Sequence, residues 1–73
     1  MALWRRRRPV GVRIVTTLGR EVPCRVRRLG AGQWGARPGE PLRPGELITG
    51  LRADRIPAGQ KLNLLLGMDD IAE

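Results

Sequence analysis

Apolar and polar residues alternate with period two along four segments of the chain. From Val10, one face carries Val10, Val12, Ile14 and Thr16, and the other carries Gly11, Arg13, Val15 and Thr17. That spacing is the signature of a half-buried strand. The segment "EVPCRVRR" repeats it, with Val22, Cys24 and Val26 on one side and Pro23, Arg25 and Arg27 on the other. After Glu46, Leu47, Thr49, Leu51 and Ala53 alternate with Ile48, Gly50, Arg52 and Asp54. "KLNLLL" then sets Leu62, Leu64 and Leu66 on one face. A helix over 62–71 competes for this last segment, because Leu64, Met68 and Ile71 fit helical spacing. Gly67 in its middle would cost about 1 kcal/mol, so a strand is preferred.

The first two strands are joined by a turn that the sequence specifies. A three-residue hairpin loop ends on a left-handed residue, usually glycine. Taking Thr17-Leu18-Gly19 as that loop pairs Thr16 with Arg20, Ile14 with Val22, Val12 with Cys24 and Val10 with Val26. Apolar residues then meet on one face, and Arg13, Arg25 and Arg27 share the other. Pro23 lacks a donor, which predicts an edge strand or a bulge at that point. Residues 30–45 hold five glycines and three prolines and read as a loop around Trp34. "IPAG" at 56–59 reads as a turn with proline second and glycine fourth. The expected fold is all-β: a small barrel or sandwich of four to five short antiparallel strands. It divides into a basic arm over 1–9, a β-domain over 10–66 and an acidic tail over 67–73.

Composition sharpens this picture. A chain of 73 residues is one domain, and one this short buries only about 60% of its unfolded surface. Domains of that size gain stability from disulfides, metals or partners. The chain has one cysteine, Cys24, and no histidine, so neither a bridge within the chain nor an ordinary zinc site can form. Self-association or a place in a larger assembly is therefore expected. Cys24 lies on the apolar face, as a small buried hydrophobe does. The net charge is +7, and it is unevenly spread. Residues 1–28 hold nine arginines against Glu21, whereas 29–73 hold five cations against six carboxylates. Arginine is suited to bidentate contact with phosphate or carboxylate, although a GC-rich genome also favours it over lysine.

Export and membrane readings fail: the arginines of "WRRRRPVGVRIVTT" lead into no apolar core of about 7–15 residues and no span of about 20. The absence of histidine and tyrosine removes common acids, bases and nucleophiles, so no catalytic residue, cofactor, metal or small-molecule substrate is expected. Two readings remain. In the first, the chain is an assembly module: Trp4 anchors the arm, Arg5, Arg6, Arg7 and Arg8 pair with acidic groups of a partner, and Trp34 caps the core or docks. In the second, Arg13, Arg25, Arg27 and Arg28 contact nucleic-acid phosphates without sequence preference. The bland alternative for the arginine run is a solvated, disordered terminus; Trp4 argues against it, since a purely solubilising tail has no use for an indole.

Residues 5–66 resemble small all-β accessory proteins of tailed bacteriophages of actinobacteria. The likeness rests on the basic start, on the hairpin carrying Gly19, Arg20, Glu21, Pro23 and Cys24, and on the late turn with Asp54, Pro57 and Ala58. It implies a minor virion component such as a capsid decoration protein, with a major capsid protein among its partners. The expected location is then the virion, or the cytoplasm if the gene is not a phage gene.

Overall fold

A computed structural model describes residues 8–67. The arm residues Trp4, Arg5, Arg6 and Arg7 and the acidic residues Asp69, Asp70 and Glu73 lie outside that range. Five strands form: β1 (Arg13–Thr16), β2 (Glu21–Gly30), β3 (Gln33–Pro38), β4 (Ile48–Arg52) and β5 (Lys61–Leu64). They make one nearly closed, barrel-shaped sheet in the order β4-β1-β2-β3-β5. The fold is all-β, as the alternation predicts.

The first hairpin keeps the expected register where it is apolar. Ile14 faces Val22, Cys24 N donates to Val12 O at 2.9 Å, and Thr16 N donates to Arg20 O at 3.0 Å. Gly19, at φ +73°, closes the turn by donating its amide to Thr16 O. The fourth predicted pair does not form. Val10 instead bridges Arg55, and Val26 pairs with Ala36 of β3. Strand β2 therefore changes neighbour along its length and is an interior strand, not an edge. Pro23 is tolerated because it sits at the changeover: beyond the end of β3 its carbonyl meets only the amide of Gly39, at 2.7 Å. The nitrogen of a strand residue points to the same side as its carbonyl, so the missing donor costs no ladder bond.

Three further expectations are corrected. The segment 30–45 is not a continuous loop, because β3 runs through it and pairs with both β2 and β5. Gly32, at φ +69°, supplies the tight turn between β2 and β3. Not every pairing is antiparallel: β5 lies parallel to β3, because the connection over 53–60 crosses from one sheet edge to the other. That crossing is pinned where Asp54 N donates to Val10 O at 2.8 Å. Its turn falls one residue later than predicted, with Gln60 N donating to Pro57 O and Gly59 at φ +76° in third position, where a type II turn needs a left-handed residue.

The core centres on Ile14, Val22 and Leu42, with Cys24, Ile48 and Leu51 packed against them. Ile48 and Leu51 share this face although they are three residues apart. A bulge between Val15 and Thr16 skips Thr49, setting Ile48 opposite Thr16 and Leu51 opposite Ile14. An extra residue inverts the side-chain parity beyond it, so Leu47 is left 66% exposed.

Candidate functional site

The sheet sorts its charges. Glu46 comes from the loop after β3, and its side chain is fully buried. Thr16 Oγ1 donates to its Oε2 at 2.5 Å, Arg20 Nε to the same oxygen at 2.8 Å, and Arg20 Nη2 to Oε1 at 2.7 Å. The Arg43 amide adds a fourth bond at 2.8 Å. These donors, Arg20 foremost, hold the Glu46 carboxyl far below the usual carboxylate range against the opposing effect of burial. Arg20 reaches further, to Glu40 at 2.8 Å. On the neighbouring surface Arg13 bonds Glu21 at 2.8 Å, Asp54 at 3.0 Å and the Gly11 carbonyl at 2.6 Å. Arg13 and Arg20 thus engage every carboxylate among the described residues.

The remaining basic residues of β2, β3 and β5 are set against one another by register. Arg25 stands directly opposite Arg37, and Arg27 opposite Gly35. Gln33 is level with Lys61, and Gly35 with Asn63. Register partners share a sheet face, so Arg25, Arg27, Arg37 and Lys61 project together on the outward face, all exposed. The bond from Asn63 Nδ2 to Gln33 Oε1, 3.1 Å, lies on the same face. Among the described residues this face carries no carboxylate on the three strands β2, β3 and β5 beyond Glu21, which Arg13 holds. Cross-strand neighbours of like charge repel, so the face is strongly positive by construction.

The sequence-predicted residues divide accordingly. Arg25 and Arg27 come together on this face. Arg13 is on the same side of the sheet but is committed to two carboxylates, which raise its pKa. Arg28 pairs with the inward-facing Trp34 and folds onto the Gly30 carbonyl, 3.4 Å away. Arg37 and Lys61 belong to the site and escaped the sequence reading, because β3 was hidden in a Gly/Pro-rich stretch. The alternation of Gln33, Gly35 and Arg37 was the signal available.

Trp34 is a core residue, 4% exposed, whose indole Nε1 donates to Gln60 Oε1. Arg8 places its guanidinium 5.7 Å from the indole centroid, within cation–π range. The root of the arm therefore rests on the chain's own body. Cys24 is half-buried, and burial pushes its thiol pKa up, the opposite of an activated nucleophile. No group of three or more potential metal ligands occurs among the described residues, nor does any helix long and apolar enough to cross a membrane. No protein-family model, curated protein or solved structure matches the chain.

Proposed function

We propose that this chain is a non-enzymatic accessory subunit that docks through its arginine face onto an acidic surface of a larger particle, a phage virion in the first instance. One observation supports the reading: Arg25, Arg27, Arg37 and Lys61 lie together on one exposed face of β2, β3 and β5. Cations gathered on one face raise the local concentration of an anionic partner and speed its association. Docking would also supply the support that so small a core needs. The phage setting comes from the resemblance of the hairpin and the late turn. The test is incorporation: particles assembled with the Arg25→Gln/Arg27→Gln/Arg37→Gln chain and sedimented should carry far less of it than wild type. Equal occupancy would refute the docking role.

The same face favours one second reading, the phosphate backbone of nucleic acid. With Trp34 buried, no aromatic among the described residues offers a base-stacking platform of the kind single-strand binders use. Binding would then be non-specific and steeply salt-dependent. Retardation of a DNA duplex at low salt, lost together with the three arginines, would support it; absence of retardation at low salt would eliminate it.

A further inference from the structure

Among the described residues the sheet is open where the basic face meets its edge. β4 and β5 end the strand order and do not pair with each other, and β5 pairs with β3 alone. Two bonds show which backbone groups of β5 face outward. Lys61 N donates to Gly32 O at 2.7 Å and Leu65 N to Ala36 O at 2.8 Å, so Lys61, Asn63 and Leu65 turn their amides and carbonyls toward β3. These directions alternate along a strand. The N–H and C=O groups of Leu62 and Leu64 therefore point away from the sheet, a template for one more strand.

The two faces of β5 differ in chemistry. Its core face carries Leu62, level with Trp34, and Leu64, level with Ala36. As an edge residue Leu64 is still 37% exposed. The outward face carries Lys61 and Asn63, level with Gln33 and Gly35. Arg27 of β2 stands level with the same Gly35 and shares with Leu64, Leu65 and Leu66 the wall of an open groove of about 470 Å³. Lys61 and Arg27 thus flank the free edge on one face, and Leu62 and Leu64 on the other.

We propose that this edge receives an extended segment of the partner as an added strand, one in which acidic and apolar residues alternate. Main-chain bonds to Leu62 and Leu64 would supply affinity, and side chains on the two faces specificity. Neighbouring strands share faces, so every second residue of the segment lies beside Lys61 and the groove that Arg27 lines, where a carboxylate is favoured. The residues between lie beside Leu62 and Leu64, where an apolar side chain is. A second copy of this chain fits less well, because joining β5 to β5 sets two basic faces side by side. The inference rests on the docking reading for its partner and adds the mode of binding, strand addition rather than charge contact alone.

The test titrates the wild-type chain at low salt with a capped peptide alternating glutamate and valine, and with a block peptide of the same composition, while amide exchange is followed by ¹H–¹⁵N NMR. Without peptide, the amides of Leu62 and Leu64 should exchange much faster than those of Lys61 and Leu65. The alternating peptide should slow them, and the block peptide should bind about tenfold more weakly, the effect of one or two lost hydrogen bonds. No binding of the alternating peptide, equal affinity for both peptides, or binding that leaves the two amides unprotected overturns the proposal. So does slow exchange of these amides in the free chain, which, if lost on dilution, would assign the edge to a second copy. Leu64→Pro separates this inference from the docking reading, since it removes an outward amide that makes no ladder bond, a change that a sheet edge tolerates. A folded Leu64→Pro chain that enters particles as wild type does, when the Arg25→Gln/Arg27→Gln/Arg37→Gln chain does not, rules out strand addition and leaves docking in place. Protection of both amides by the alternating peptide, with normal incorporation of the arginine variant, upholds the edge site and rules out docking through the arginines.

Discussion

Glu46 and Arg20, 26 residues apart, meet at two points: Nη2 to Oε1 at 2.7 Å and Nε to Oε2 at 2.8 Å. This contact ties the loop after β3 to the first hairpin and, with Thr16, leaves no buried side-chain polar atom unpaired among the described residues. Removing one partner of a buried pair strands the other. Glu46→Gln keeps the shape but turns an amide N–H₂ toward donors. Its Tm should fall by about 10 °C in a domain of this size, read from circular dichroism melts. A fall of under 2 °C would show that the Glu46 charge contributes little to holding the loop.

The same pair sets an acid dependence. The folded-state pKa of Glu46 lies well below the reference value of 4.5, so the folded state holds its charge while the unfolded chain takes up a proton. The contribution is complete above about pH 5 and is lost progressively as pH falls below about 4.5 toward the folded value. Melts between pH 2.5 and 7 should show wild-type Tm dropping below pH 4.5. The Glu46→Gln variant should lose much of that slope, and parallel acid limbs would assign the effect to other carboxylates.

Two glycines separate conformational from steric cost. Gly11 and Gly19 both have left-handed φ, +67° and +73°. A Cβ on Gly11 would lie 2.1 Å from Asp54 Oδ2, whereas one on Gly19 meets nothing within 4 Å. Gly19→Ala should therefore cost about 1 kcal/mol from backbone strain alone. Gly11→Ala should cost more, about 2 kcal/mol, because it also displaces Asp54 from Arg13. Urea unfolding of both variants checks the order, which the geometry does not allow to reverse.

How much of this was legible follows from what period two can encode. The hairpin was readable because Gly19 fixes the turn, and the turn fixes Ile14 against Val22. Strand β3 was not, since Gly35 and Pro38 suppress strand propensity, and only pairing with β2 and β5 on both sides makes up for it. Which residues of β4 share the core face is not readable from alternation, because the bulge at Thr49 is a tertiary adjustment to β1 that leaves no periodic trace. Parallel β5 is likewise invisible locally. For the site, the basic character of β2 was plain, but which arginines are held by carboxylates depended on contacts such as Arg13 with Asp54, 41 residues away.

The bulge makes a direct prediction about two leucines. Leu42, in a segment rich in glycine and proline, is 1% exposed, whereas Leu47, which strict alternation would put on the same face as Leu51, is 66% exposed. Leu42→Ala removes a fully buried side chain and should cost about 3 kcal/mol, a large share of the stability of a small domain. Leu47→Ala should stay within about 0.5 kcal/mol. Urea midpoints at a common m-value decide it; comparable losses at the two sites would mean that the loop and β4 are packed differently.

The sharpest test of the arginine face sets stability against binding. Arg25 opposes Arg37 directly, and replacing a like charge by an opposite one across a ladder is worth about 0.5 kcal/mol in an exposed pair. Arg25→Glu should therefore raise Tm by about 2–4 °C. The same change removes a cation from the outward face and adds an anion, so binding to heparin or to an acidic particle surface should weaken by at least tenfold at low salt, the difference shrinking as salt screens it. A residue kept only for folding would move both quantities the same way. Melting curves and heparin elution on one preparation give the two signs together, and a variant that is both less stable and unchanged in binding would mean that Arg25 is there for the sheet.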